Sequence, residues 1–250
     1  MARFDWSVQQ EQRLAAIRDD LARVSTATAF TLLNGLGWRN TYMQGLQSLE
    51  PLGLGSRLVG RARTCRYLIR REAEAPAPSG NRQVSPVIAL IESIESGDVF
   101  CVDALGVPTA GIIGDILSAR LKVRGVVAAM VYGAVRDSPY IREVGLPVFS
   151  SAIHPAASMR DVVPVDYDVP VNLGGAQVLP GDVILVDDEG ALAMPLDLAE
   201  YVVEHGLAKE HLEGWIRGKV EAGGSVHDYY PPTAEKEAEY ERETGRRVTH

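Results

Sequence analysis

Apolar residues return at helical spacing in the first strongly patterned run, VQQEQRLAAIRDDLAR (8–23). Leu14, Ile17 and Leu21 fall on one face there and predict an amphipathic helix. Ser25 is a candidate N-cap for a second helix, TATAFTLLNGLG, which should stop at Gly35 or Gly37. The glycine- and proline-bearing stretch 40–55 reads as loop. RLVGRARTCRYLI (57–69) then alternates as a strand does, and its arginines read as a solvated strand face or as the lining of a site. REAEAPAPSGNRQVSP (71–86) is polar and rich in proline, alanine and serine, which predicts an exposed loop ahead of a short helix from Pro86 to Ser93.

The pattern changes at the centre. GIIGDILSARLKVRGVVAAMVYGAVRD (111–137) reads as a strand end, a glycine turn, a helix, a wholly apolar strand and a second turn. Asp115 stands at the helix start, where a carboxylate can cap free N–H groups and meets the positive end of the helix dipole; Gly125 closes the helix. A strand–helix–strand crossover returns the chain to the same parallel sheet. Asp115 and the Arg136-Asp137 pair therefore belong at the carboxyl ends of strands, where open α/β sheets bind ligands. Residues 116–135 separate them in sequence, and the crossover should cancel that separation.

GDVFCVDALG (97–106) is echoed by GDVILVDDEG (181–190), each predicting a turn, a buried strand and a second turn. The echo reads as one strand-and-turn device used twice; ten residues are too few to establish a duplicated half-domain. SPYIREVG reads as a short helix, LPVFSS as a short strand, and 161–180, interrupted by prolines, as an edge or connecting antiparallel strand. VILVD and ALAMP form a hairpin around Asp188-Glu189-Gly190. A long helix runs from Asp197, its candidate cap, to Glu221, weakened by Gly206, Gly214 and Gly218. The tail beyond it opens as a loop and ends in a charged helix. It has no core of its own, so it is expected on a neighbouring surface such as another subunit, or frayed. These elements predict one domain over 1–250, with a core at about 21–196 and an extension at 197–250.

Composition narrows the function classes. The chain has 250 residues, 46% hydrophobic and 23% charged, enough to bury a real core. A net charge of −8 disfavours nucleic acid as the partner. Cys65 and Cys101 sit in apolar runs and are expected as buried, reduced thiols. No run is long enough to span a bilayer and the N-terminus does not resemble a signal peptide, so a cytoplasmic protein with no membrane partner is expected.

Several familiar signatures are missing: no dinucleotide-binding glycine fingerprint, no phosphate-binding loop, no Gly-x-Ser-x-Gly and no His-rich metal set. His154, His205, His211, His227 and His250 are scattered, and only His154, just after a strand, stands near candidate chemistry. What remains is carboxylates beside an arginine. Asp115 and Asp137 offer the hard oxygens that hold Mg²⁺ or Mn²⁺ with several waters retained. Arg136 offers a planar fork for a carboxylate or an enolate oxygen. At the turn opened by Gly114, the N–H groups of Ile116 and Leu117 can take the other end of an anion. Together these suit a small 2-oxo acid that chelates a metal. A structural Arg–Asp salt bridge plus a helix cap would account for the same residues, and both readings stand at this point.

Gly114-Asp115 followed after residues 116–135 by Arg136-Asp137, preceded by SGDVFCVD and followed by LPVFSS, resembles the RraA-like family. It is most similar to the branch of 4-hydroxy-4-methyl-2-oxoglutarate and 4-carboxy-4-hydroxy-2-oxoadipate aldolases. The likeness runs from about Leu21 to the C-terminal helix. It implies an α/β protein with a compact swivelling β/β/α fold and a C-terminal helical extension, assembled as a homotrimer or homohexamer with sites between subunits. It also implies a metal-dependent lyase releasing pyruvate from a 4-hydroxy-2-oxo acid, with oxaloacetate decarboxylation as a side activity. In the resemblance Asp137 binds Mg²⁺ or Mn²⁺, Arg136 contacts substrate and enolate, and Asp115 orients metal-bound water. A Glu from the neighbouring subunit's C-terminal helix, Glu213 or Glu210 one turn earlier, completes the set. Tyr132 departs from the pattern, in a place often held by an acidic residue, as does the long 71–86 loop. The rival readings are a non-catalytic regulator that binds a ribonuclease, and a dehydratase or tautomerase acting on sugar-derived 2-oxo acids through the same metal and enolate chemistry.

Overall fold

The computed structural model describes residues 6–71 and 85–248. The expected exposed loop at 71–86 falls almost wholly outside them. Helices α1 (Val8–Leu21) and α2 (Thr26–Gly35) match their patterns. Leu14 and Leu21 are fully buried with Ile17 packed beside them, and Ser25 Oγ accepts the Thr28 N–H at 3.1 Å as the N-cap of α2.

Strand β2 (Leu58–Ile69) is the axis of the sheet. The other strands are β1 (Gln47–Ser48), β3 (Asp98–Asp103), β4 (Ala128–Val135), β5 (Val148–Ile153), β6 (Val162–Tyr167), β9 (Val183–Asp187) and β10 (Gly190–Met194), in the order β1-β5-β4-β3-β2-β9-β10. β6 shares the edge of β2 with β9: Leu58–Arg61 pair with β9 and Cys65–Ile69 with β6. The β2–β3, β3–β4 and β4–β5 pairs are parallel, which requires crossovers. Helices α3 (Pro86–Ser93), α4 (Asp115–Val123) and α5 (Ser138–Val144) supply them. One apolar cluster lies under these helices, a second on the opposite sheet face beneath the hairpin β7 (Val171–Leu173) and β8 (Ala176–Val178), and a third beneath α1, α2 and the C-terminal helix. The stretch expected as one connecting strand at 161–180 is thus three strands, because its glycine pair lets β7 turn back on β8.

The arginines of β2 correct the sequence reading. Arg61 and Arg63 are buried rather than on a solvated face, since β2 is paired along both edges. Arg61 Nε donates to Asp98 at 2.7 Å, and Arg63 makes a two-pronged pair with Asp168 at 2.9 and 3.0 Å. Only Arg66, at the strand's bulge, is exposed.

The echoed decapeptides prove to be one device. Asp98 accepts the Glu95 N–H and Asp182 the Leu179 N–H, each three residues back. Asp103 accepts the Leu105 N–H and Asp187 the Glu189 N–H, each two residues on. The two strands flank β2, one parallel and one antiparallel.

Helix α6 (Leu196–Glu221) is continuous over 26 residues despite its glycines. Pro195, not Asp197, takes the N-cap position, and Asp197 lies in the first turn, paired with Arg13. The tail, α7 (Val226–Tyr229) and α8 (Ala234–Thr244), folds back on α6 instead of fraying. Trp215 meets Tyr240 edge-on with ring centroids 5.4 Å apart, and Lys219 bonds Glu239 and Glu243 at 2.7 Å each. Aromatic residues scattered in a charged sequence supply the small core that its overall polarity hid. Cys65 and Cys101 are buried free thiols as expected. Among the described residues no helix is long and apolar enough to cross a membrane.

Candidate functional site

The site is built where β4 ends. After β3 the chain loops out and returns as Gly111–Ile113, which takes up the position beside the end of β4: Ile112 N–H donates to Ala134 O at 2.8 Å and Arg136 N–H to Ile113 O at 3.0 Å. The strand end that the sequence reading placed ahead of the glycine turn is this short return, joined to the end of β4. It delivers Gly114 and the start of α4 directly against Arg136 and Asp137.

Gly114 shows how tight the junction is. A Cβ there would stand 2.5 Å from Asp137 Oδ2 and 3.2 Å from both Cγ and Nε of Arg136. Only a residue without a side chain lets the carboxylate and the guanidinium close on the helix start. Asp137 itself adopts left-handed backbone angles, φ 52° and ψ 34°, which cost a non-glycine residue energy and are tolerated best by Asp and Asn. Its carboxylate turns back to Arg136, Nε to Oδ2 3.3 Å, with the two side chains 42% and 38% exposed.

Asp115 does not cap the helix as the sequence suggested. Gly114 occupies the N-cap, no side chain caps the first turn, and Asp115 is the first helical residue. Its carboxylate makes no hydrogen bond or ion pair within the described residues. The N–H groups of Ile116 and Leu117 thus remain uncapped by any side chain and available to an anion. The salt-bridge reading of the sequence is met by Arg136 and Asp137; the cap reading of Asp115 is not.

Among the described residues no group of three or more His, Cys, Asp or Glu gathers in a metal-holding arrangement. The donors that are present, the Asp137 carboxylate and the unpartnered Asp115 carboxylate one residue past Gly114, are hard oxygens in a half-open setting. That set fits a cation such as Mg²⁺ or Mn²⁺, which binds through one or two carboxylates and keeps its waters.

The remaining candidates lie elsewhere in this chain. Glu213 sits on α6 and pairs with Lys209 at 2.9 Å. Glu210 is committed to α2, accepting Ser25 N–H at 2.8 Å and Ser25 Oγ at 2.6 Å. Burial pushes Glu210 up, but hydrogen bonds from Ser25 and Thr28 and the charge of Arg57 outweigh it and hold the carboxyl below its ordinary value. Both glutamates line a cavity of about 620 Å³ between α6 and the loop carrying Gly53 to Arg57. Tyr132 is turned away from the crossover helices, packing with the cluster on the other sheet face; a Cβ on Gly106 would meet its ring at 3.0 Å. His205 stacks at 4.2 Å on Tyr201 and His211 bonds the Tyr240 hydroxyl at 2.9 Å, which accounts for both as packing residues.

A family model described as RraA-like: Aldolase/RraA matches residues 15–193, from α1 into β10. The chain belongs to the RraA-like family. Its sheet, helices and glycine-led crossover are those of that fold: the crystal structure of RraAS2 from Streptomyces coelicolor, described as an unusual member of the RNase ES inhibitor RraA family, superimposes with a TM-score of 0.72 at 34% identity, covering 82% of this chain and 98% of that one. Among curated RraA-like relatives, the 4-hydroxy-4-methyl-2-oxoglutarate aldolase of Thermus thermophilus is 31% identical over 146 residues, 58% of this chain and 80% of that protein. Protein DlpA of Legionella pneumophila is 28% identical over 182 residues, 73% of this chain but only 28% of DlpA's length. The family match ends at residue 193, before α6 begins.

Proposed function

We propose that this RraA-like protein is a divalent-metal-dependent lyase that cleaves a small 4-hydroxy-2-oxo acid by retro-aldol reaction and releases pyruvate, with oxaloacetate decarboxylation as a side activity. The observation that carries the reading is the junction at Gly114. It closes an arginine, an aspartate and an uncapped helix start onto one point, with a second carboxylate left without a partner. A purely structural salt bridge would need neither the missing side chain at Gly114 nor the spare Asp115. The aldolase name borne by the Thermus thermophilus relative points the same way.

In this reading Asp137 holds the metal and Asp115 faces it across the Gly114 turn. When bound, Mg²⁺ or Mn²⁺ supplies Lewis-acid polarisation of the 2-keto group. The N–H groups of Ile116 and Leu117 bind and orient the substrate carboxylate. Asp115 draws the proton from the 4-hydroxyl, directly or through one water; the electrons of the breaking C3–C4 bond move toward C2, and a carbonyl forms on the departing fragment. Arg136 holds the negative oxygen that develops at C2, and a proton delivered to C3 completes pyruvate. The remaining carboxylate comes from α6 of a neighbouring copy in a homotrimer or homohexamer. Glu213 is the residue assigned to it, because Glu210 is already spent on the N-cap of α2 while Glu213 is held only by a surface lysine.

Pyruvate formation from 4-hydroxy-2-oxo acids, read by coupled lactate dehydrogenase, tests this proposal. EDTA should abolish it, and Mg²⁺ or Mn²⁺ should restore it. Turnover indifferent to a chelator overturns the mechanism. The ribonuclease-regulator reading is favoured by the 34% identity to RraAS2. It is selected if the protein releases pyruvate from none of these acids yet slows a purified RNase E-type enzyme.

A further inference from the structure

Two glycines, not one, meet Arg136. Gly111 and Gly114 are both buried in the short return between β3 and α4. A Cβ on Gly111 would stand 2.8 Å from the Cβ of Arg136 and 3.0 Å from the carbonyl oxygens of His154 and Ala156. A Cβ on Gly114 would meet the same arginine further out, at Cγ and Nε. The stem of Arg136 therefore runs along the return segment, with Gly111 against its root and Gly114 against its outer half. Interiors packed this closely leave no room for a methyl group at either point.

Gly111 has no room to draw aside. It is bridged to Ala134 of β4 on one side and to Ala157 on the other, and its N–H donates to Ala156 O at 2.9 Å. The chain beyond β5 thus crosses over and clamps the return segment onto Arg136, whose own N–H is tied to Ile113 O at 3.0 Å. Gly111 is not among the glycines with left-handed backbone angles, so space alone requires glycine there. The resulting track decides which nitrogens the guanidinium presents. Its Nε lies 3.3 Å from Asp137 Oδ2. The two Nη groups donate no hydrogen bond within the described residues, and the side chain is half-exposed. A guanidinium carries donors on an edge that includes Nε and on an end formed by the two Nη groups. With Nε turned to Asp137, the end is what remains for an anion.

We propose that Gly111 is a positioning residue for the lyase reaction: it fixes the root of Arg136 so that the Nη end of the guanidinium meets the oxygen that becomes negative at C2. This rests on the lyase reading above. Gly114 does not do the same work, because it touches the arginine only from Cγ outward and leaves the direction of the stem to be set at Cβ. Gly111 touches neither aspartate and acts through Arg136 alone. Its removal should therefore weaken the interaction made in the transition state and spare substrate and metal binding.

Gly111→Ala should lower kcat for pyruvate release about a hundredfold, the cost of misplacing a group by about an ångström. KM and the Mn²⁺ dissociation constant should stay within about threefold of wild type. The same change made in an Arg136→Ala background separates positioning from damage. That background keeps the Cβ that Gly111→Ala would strike but has no guanidinium to misplace, so its residual kcat should change by less than about twofold. A larger further loss there overturns the assignment. So does a Gly111→Ala protein with near-normal kcat, or one whose loss is carried by KM or Mn²⁺ affinity. A second measurement needs neither turnover nor a folded Gly111 variant. In wild-type protein labelled with ¹⁵N-arginine, the Nε–H resonance that disappears in Arg136→Ala should show a heteronuclear NOE equal to that of the surrounding backbone. A value well below it means a loose stem and overturns the proposal. A wild-type protein that releases pyruvate from no 4-hydroxy-2-oxo acid overturns the lyase reading instead, an outcome seen before any variant is made.

Discussion

Two arginine–aspartate clusters of similar composition lie in this chain, and they have opposite characters. In the first, on β2 and its neighbours, Arg63 and Asp168 have side chains 11% and 5% exposed, and donor matches acceptor in paired hydrogen bonds. In the second, Arg136 and Asp137 are 42% and 38% exposed, joined by one contact of 3.3 Å, with Asp115 beside them unpartnered. The first has no bonding capacity left for a ligand. The second keeps spare oxygens, spare N–H groups and access to solvent. Saturation marks a cluster that holds the fold; incompleteness is what the proposed catalytic role requires.

The sharpest way to break that contrast is to remove one carboxylate from the open cluster. Asp137→Asn should lower pyruvate release by three orders of magnitude or more, equivalent to about 4 kcal/mol of barrier, while the melting temperature stays within about 2 °C, because Asn also tolerates the left-handed backbone. Near-normal turnover would move the site elsewhere. Removing one partner from the closed cluster should do the reverse. Arg63→Ala leaves Asp168 buried without its cation and should cost about 3–5 kcal/mol in urea unfolding, with kcat of the remaining folded protein near wild type. The two glutamates of α6 divide the same way on a smaller scale. Glu213→Gln should reduce kcat about a hundredfold, the lower end for a group that handles protons, without changing stability. Glu210→Gln should cost about 1 kcal/mol of stability through the weakened cap and spare the rate. The opposite pattern would exchange their roles.

A last effect concerns the echoed strands. Asp98 has two arginines, whereas Asp182 has one backbone N–H and no cation. Burial pushes the Asp182 carboxyl up from 3.8 to about 6, against the pull of the Leu179 N–H. With the folded value raised, the fold takes up a proton between about pH 4 and pH 6 that the unfolded chain does not hold. The cost of keeping this carboxylate charged is absent below that window, grows through it, and is complete above it. Asp182→Asn keeps the acceptor and removes the charge, so it should stabilise the protein by about 3 kcal/mol at pH 7.5, with most of the gain gone by pH 4. Thermal melts at the two pH values measure it.

Much of this was legible beforehand. The crossover 111–137, the hairpin at Asp188-Glu189 and the helix at 86–93 follow from local pattern, glycine positions and caps, and the structure keeps them. What escaped depended on neighbours far along the chain. The arginines of β2 look like a polar strand face until Asp98 and Asp168 arrive from other elements. The tail looks coreless until Tyr240 meets Trp215. In the site, the residue types and their spacing could be read, but not that Gly114 rather than Asp115 would cap α4. That exchange frees a carboxylate that a cap would have consumed.

The backbone at Asp137 also bears on how such a chain could diverge. Its left-handed geometry is open to Asn and Gly, each of which would remove the proposed metal ligand without disturbing the turn. Glu, with the same charge, would have to bend the loop to settle there. Loss of the proposed chemistry at this point is thus a short conformational step, and its replacement by the other acidic residue a long one, so under the lyase reading a lineage drifting from catalyst to pure binder has an easy route at this position.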